Sequence, residues 1–267
     1  SAFSPHKVVG EGTLVTIASG VSLPAGQGLA GGAPGIAVSN RILRASDIRE
    51  RLAGGRPPVS ETDITAGRLE VQPAKALTTL AQGDVLIGVV AGGAGFGDPL
   101  RRDPHLIALD IARGLVSEPA AADVYGAVMV DGEPDLEATR ERRSSMRDTR
   151  RREARRPDGE HPIAAGPVPG MALHPVSDAV EAVDCDGERI LRCGVCHYRY
   201  SAYSEPYLPA TLVRELPLSA SVSDNDRCSE RFVLAERYCP GCGTAVAATV
   251  SDRSAATSVG DRVGLKA

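Results

Sequence analysis

The chain has 267 residues and a mass of 27.8 kDa, with 42% hydrophobic and 24% charged residues and a formal net charge of -4. That length allows one large domain or two modest ones, and the apolar fraction excludes disorder throughout. No uncharged apolar run approaches the ~18 residues of a membrane-spanning helix, and a pI near 5.8 gives no global electrostatic case for nucleic acid.

Residues 1–12 lack a basic-then-apolar leader, so the reading expects a cytoplasmic protein. Composition favours short strands and many turns: 29 Gly, 19 Pro, three Phe, six Tyr and no Trp. The expected fold class is α+β and mainly β. It comprises a glycine-rich N-terminal domain with short helices, plus a small β domain that two Cys-x-x-Cys pairs, at 193–196 and 239–242, mark as zinc-ribbon-like.

In chain order, residues 13–17 and 84–90 are short apolar runs bounded by glycine and read as buried strands. The glycine-dense stretch 23–35 reads as a loop, and 41–44 as extended chain. Asp103 followed by Pro104 is a helix start, with Leu106, Ile107, Ile111 and Leu115 at helical spacing and Gly114 as the stop. Ser117 caps a second short helix through Tyr125. A strand at 126–130 and a turn at Asp131-Gly132 follow. Residues 137–156 read as a polar helix and 157–170 as a proline-rich linker. The expected organisation is therefore 1–143, a 144–170 helix and linker, a 171–250 zinc-binding domain and a 251–267 tail.

All six cysteines lie after residue 184: Cys185, Cys193, Cys196, Cys228, Cys239 and Cys242. Cys193-x-x-Cys196 and Cys239-x-x-Cys242 are separated by 42 residues. Two intervening residues let the chain turn once and aim both sulfurs at one tetrahedral centre, so these four are the expected ligands of a closed, structural zinc site. Gly241 and Gly243 are expected in left-handed backbone, with Arg192 and Arg237 offsetting thiolate charge. Cys185 and Cys228 read as small buried hydrophobes, and His197 as an ordinary core or surface residue rather than a replacement ligand. No catalytic or cofactor-binding residue is assigned.

Two further stretches invite a functional reading. Residues 91–99 contain Gly-x-Gly after a strand, but the next helix begins only after a proline break. A tight structural loop is favoured over a phosphate cradle. From Arg140 to Arg156 there are nine arginines against three acids. With no aromatics interleaved, a solvated or partner-pairing helix is favoured over an RNA-binding arm.

The quoted strings carry a twofold resemblance. Gly31-Gly-Ala-Pro-Gly35 with Asn40-Arg41, Gly83-Asp-Val85, and Gly92-Gly-Ala-Gly-Phe-Gly-Asp-Pro99 running on to Pro104 resemble the C-terminal part of the hydantoinase B / 5-oxoprolinase / acetone carboxylase large-subunit family. Gly114-Leu-Val-Ser-Glu-Pro-Ala-Ala121, Val124-Tyr-Gly-Ala-Val128 and Asp131-Gly132 extend it, and residues 26–143 are covered. Ala94 stands where that family usually has another glycine. Leu191-Arg-Cys-Gly-Val-Cys-His197 and Glu236-Arg-Tyr-Cys-Pro-Gly-Cys-Gly-Thr244 resemble the small zinc-binding subunit of acetone and acetophenone carboxylases.

The resemblance implies a subunit of a multi-subunit, ATP-dependent ketone carboxylase, with the hydantoinase B-like segment joined to the zinc module. It implies hydantoinase A-like and hydantoinase B-like partners, which supply ATP, Mg or Mn and bicarbonate sites and act on a small ketone. An ATP-dependent hydantoinase or 5-oxoprolinase-type cyclic amide hydrolase is the alternative. A zinc-ribbon nucleic-acid-binding or scaffolding protein is the alternative of another class. Neither membrane nor nucleic acid is an expected partner.

Overall fold

The computed structural model describes residues 12–21, 23–24, 26–64, 66–156, 166–218 and 231–253. Cys228, most of the expected linker and the tail beyond 253 lie outside the described residues. The fold is α+β and mainly β, with fourteen strands and four helices among the described residues. It divides into two compact units. The first holds residues 12–26 and 35–93, and the second holds 27–34 and 94 onward. By packing, the second unit joins segments on both sides of the sequence boundaries at 143 and 171. No described helix is long and apolar enough to cross a membrane.

In the first unit, β1 (Gly12–Ile17) and β4 (Lys75–Leu80) form an antiparallel ribbon. β2 (Ser39–Arg44) is the centre of a three-stranded sheet, flanked by β3 (Arg68–Val71) and β5 (Val85–Val89). Ile42 and Leu43 are buried, and Leu43 packs with Ile48 of α1 (Ile48–Ala53), Ile64, Val85 and Ile87. The expectation of a buried strand at 13–17 is corrected. Val15 is 60% and Ile17 78% exposed, because a two-stranded ribbon packs only one face and these residues point the other way. Likewise β5 is half-buried rather than buried.

One ion-pair cluster ties this unit's turns together. Asp84 accepts hydrogen bonds from the N–H groups of Ala45 and Ala81, each at 3.0 Å, and from Arg44 Nη1 at 2.7 Å. Arg44 also pairs with Glu70 at 2.5 Å. Ala45 sits at φ 50°, a left-handed value that costs an L-residue energy, and the Asp84 bond holds it there.

In the second unit, Asp103 caps α2 (Pro104–Ala112) and Ser117 caps α3 (Glu118–Asp123), as the sequence predicts. Of the four apolar residues at helical spacing, Ile107 is buried and Ile111 packs beside it, whereas Leu106 and Leu115 are 50% and 71% exposed. The strand expected at 126–130 shrinks to β6 (Met129–Val130), paired with β7 (Glu133–Pro134) around Asp131-Gly132.

α4 (Leu136–Glu153) follows, capped by Asp135. β8 (Met171–Pro175), β9 (Val180–Cys185), β10 (Glu188–Cys193) and β11 (Arg199–Ala202) form one antiparallel sheet. β12 (Leu212–Pro217), β13 (Phe232–Tyr238) and β14 (Ala245–Asp252) form another.

The glycine-rich loop packs backbone against backbone with residues 29–33. Leu29 N–H donates to Gly95 O at 3.0 Å, Gly95 N–H to Ala33 O at 2.8 Å, and Gly97 N–H to Leu29 O at 3.0 Å. The Gly95 and Gly97 amides are thus engaged within the loop pair, and a Cβ on Gly32 would overlap the Gly95 backbone.

Burial pushes the Asp84 carboxyl pKa up, but the Ala81 and Ala45 N–H groups and Arg44 outweigh it and hold it below its usual value. Asp84→Asn is therefore expected to destabilise the protein by about 1–3 kcal/mol at neutral pH. The difference from wild type is complete above the unfolded pKa of about 3.9 and vanishes as pH falls through the lower folded value. Urea titrations at a series of pH values check it.

Candidate metal centre

Each Cys-x-x-Cys turn joins two antiparallel strands. The first links β10 to β11 and the second links β13 to β14. The turns share one hydrogen-bond pattern. His197 N–H donates to Cys193 O at 2.9 Å and Cys193 N–H to Tyr198 O at 2.8 Å; Gly243 N–H donates to Cys239 O at 2.8 Å and Cys239 N–H to Thr244 O at 2.9 Å. The residue after each second cysteine is left-handed, at φ 61° for His197 and 71° for Gly243. That twist folds the second sulfur back beside the first. His197 is thus a turn residue and not part of the four-cysteine cluster. Gly241 is corrected: its φ is not positive. It is small because a Cβ there would stand 2.9 Å from Cys196 Sγ.

The turns meet sulfur to sulfur. Cys193 Sγ lies 3.8 Å from Cys242 Sγ, Cys196 Sγ lies 3.6 Å from Cys239 Sγ, and all four atoms fall within 4.8 Å of one another. A disulfide needs about 2.05 Å, whereas a tetrahedron with metal–sulfur bonds of about 2.3 Å has edges near 3.8 Å. Cys193 and Cys239 are buried, and Cys196 and Cys242 half-buried. These four close cysteines can hold a metal ion such as zinc, in a set with no open position.

The surroundings fit thiolates. Val195 N–H points at Cys193 Sγ over 3.4 Å, and the buried Thr244 hydroxyl lies 3.1 Å from Cys242 Sγ. The Tyr200 hydroxyl is buried without a hydrogen-bond partner. Burial first, then the charges of Cys239 and Cys193, push its pKa well above the phenol value. A protonated phenol beside these sulfurs is a donor that metal-bound thiolates would accept.

Sharing of hydrogen bonds splits the thiols. The Cys196 and Cys239 thiols pull Cys193 down to about 7, and bonds from Cys193, Cys196 and Cys239 pull Cys242 lower still. Cys196 and Cys239 are pushed up, because Cys193 first and then further cluster thiols disfavour their ionisation. Four thiolates cannot coexist at this spacing without a cation.

The two arginines expected to offset that charge have other partners. Arg192 donates to Glu181 at 2.8 Å and to Val168 O at 2.8 Å, and Arg237 donates to Leu208 O at 3.1 Å. Arg192 and Cys193 are neighbours in β10 and so point to opposite faces, whereas Arg237, two residues before Cys239, is drawn off by the Leu208 carbonyl. Cys185 ends β9, opposite Glu188, outside the cluster.

The sequence reading missed what holds the second turn from outside. α4 has little apolar surface, and its arginines donate to loop carbonyls instead. Arg142 reaches Ala122 O at 3.0 Å, Arg143 reaches Tyr125 O at 2.9 Å and Arg102 O at 2.7 Å, and Arg147 reaches Leu100 O at 3.3 Å. Arg150 reaches Gly243 O at 3.3 Å and Arg151 reaches Gly241 O at 3.0 Å. Arg143, Arg147, Arg150 and Arg151 recur at helical spacing, which was the available signal.

No family model matches the chain. Over part of its length it is similar to three curated proteins. It is 29% identical to the acetophenone carboxylase delta subunit of Aromatoleum aromaticum over 151 residues, covering 52% of this chain and 22% of that protein. It is 31% identical to the acetone carboxylase alpha subunit of Xanthobacter autotrophicus over 118 residues, covering 39% and 15%. It is 43% identical to the caprolactamase subunit beta of Pseudomonas jessenii over 61 residues, covering 23% and 10%. These are partial homologies to subunits of larger enzymes. The chain matches less than a quarter of the length of any of the three.

Two outcomes test the centre. Cys239→Ser is expected to abolish stoichiometric metal binding by elemental analysis and to unfold the second unit, since structural zinc contributes about 10–16 kcal/mol in small domains. Gly243→Ala places a Cβ at φ 71° and 2.5 Å from Arg147 O. A loss of at least about 2 kcal/mol in chemical denaturation is expected.

Proposed function

We propose that the chain is a subunit of a multi-subunit, ATP-dependent ketone carboxylase, completing a hydantoinase B-like subunit and carrying a structural zinc on Cys193, Cys196, Cys239 and Cys242. The observation that carries the reading is the partial similarity to acetophenone and acetone carboxylase subunits in a chain with a four-sulfur cluster. A closed thiolate set leaves no position for water or substrate, so the zinc holds the fold and reaction chemistry lies elsewhere in the assembly. ATP, Mg or Mn and bicarbonate belong to hydantoinase A-like and B-like partners, and a reducing cytoplasm suits the free thiols.

The caprolactamase similarity favours a second reading, ATP-dependent opening of a cyclic amide by a related assembly. The arginine helix gives the nucleic-acid reading no support, because five of its guanidinium groups are spent on internal carbonyls.

Tagged chain purified with its native partners is expected to bring down hydantoinase A- and B-like subunits and to consume a ketone only with ATP and bicarbonate. Consumption of a lactam or hydantoin with ATP and without bicarbonate would select the second reading. Turnover by the isolated chain would overturn the subunit reading.

A further inference from the structure

We infer that metal occupancy at the four cysteines and the conformation of the turn at 97–100 are one thermodynamic unit, joined by Asp98 and Arg150 as positioning residues. The inference rests on the cysteine cluster being a metal centre.

The Asp98 side chain is fully buried, at 0% exposure. Its carboxylate accepts from Leu100 N–H at 3.0 Å, from Arg150 Nη1 at 3.0 Å to each oxygen, and from Ala245 N–H at 3.0 Å. Leu100 belongs to the short 3-10 turn Pro99–Arg101 that Asp98 itself caps. Ala245 is the first residue of β14, three places after Cys242. Between them, Thr244 accepts the Cys239 N–H with its carbonyl and meets Cys242 Sγ with its hydroxyl.

Arg150 closes the circuit. The same Nη1 that reaches Asp98 reaches Gly243 O, and the adjacent Arg151 takes Gly241 O. Three backbone groups of one metal-binding turn, the carbonyls of 241 and 243 and the amide of 245, are therefore fixed by one buried carboxylate and one helix. The two cysteine turns meet sulfur to sulfur, so with the metal removed no bond holds the Cys239–Cys242 turn to its counterpart, and the turn is released. The Ala245 amide then leaves Asp98, whose buried charge loses a partner it needs. The turn at 97–100 loosens with it. Linkage is reciprocal, so disturbing Asp98 must weaken the metal by the same factor.

Asp98→Asn keeps shape and volume but turns an amide N–H₂ toward the Ala245 or Arg150 donors. Arg150→Lys keeps the charge but ends one atom short of the Nη1 position that reaches both acceptors. Zinc affinity of the full-length chain, measured by competition with a chromogenic chelator, is expected to fall about 10- to 100-fold for each variant. Arg142→Gln, on the same helix but bonded to Ala122 O, should change it less than about twofold. Hydrogen exchange of the wild type should speed up at the Leu100 and Ala245 amides when zinc is stripped.

Unchanged zinc affinity in Arg150→Lys, with unchanged exchange at residues 97–103 on stripping, would overturn the coupling while leaving the metal centre intact. Failure of the wild type to bind zinc at all would instead overturn the metal reading and the coupling with it. Should Asp98→Asn fail to fold, the Arg150→Lys affinity and the wild-type exchange decide.

Discussion

A carboxylate withdrawn from water must have every oxygen satisfied, and Asp98 meets that demand by drawing on three stretches of chain. Its donors come from the next turn at Leu100, from the helix at Arg150 and from the strand at Ala245. Breaking one side of such an arrangement leaves an uncompensated buried charge, which costs about 3–5 kcal/mol. Partners that are 52 and 147 residues away are thereby held in register with this turn. The Gly-Asp-Pro string and the second cysteine turn meet at this residue.

The helix that supplies Arg150 works by the same currency. A helix without a broad apolar stripe has little hydrophobic reason to dock. Here the docking force is the supply of guanidinium donors to carbonyls in loops, groups that would lack partners once covered. Arg143 serves two acceptors through two nitrogens of its planar fork, Nε and Nη2, and Arg150 serves Asp98 and the Gly243 carbonyl through Nη1. A segment that reads as an excess of positive charge is, in the folded protein, a rod of hydrogen-bond donors turned inward along one face.

The metal centre is built from two copies of one local geometry, each a strand, a Cys-x-x-Cys turn closed by a left-handed residue, and a return strand. The sulfur pairs form across the turns rather than within them, so neither hairpin is a complete site alone. Tyr200, Thr244 and the Val195 amide line the sulfurs with donors, an environment suited to anionic ligands.

Local chemistry made much of this legible in the sequence. The paired Cys-x-x-Cys motifs named the four cysteines that meet, because two-residue spacing carries its geometry with it. Asp103-Pro104, Ser117 and Asp131-Gly132 marked their caps and turn, because capping and tight turns are decided within a few residues. What depends on distant partners was not legible. The exposure of Val15 and Ile17 follows from a ribbon having only one packed face. The destinations of Arg192 and Arg237 follow from the acceptors the fold brings beside them, Glu181, the Val168 carbonyl and the Leu208 carbonyl, and the role of the arginine helix from which segments lie beneath it. Asp98 reads locally as a turn residue. Only the tertiary structure made it the meeting point of three segments, because burial of a charge is a property of everything that surrounds it.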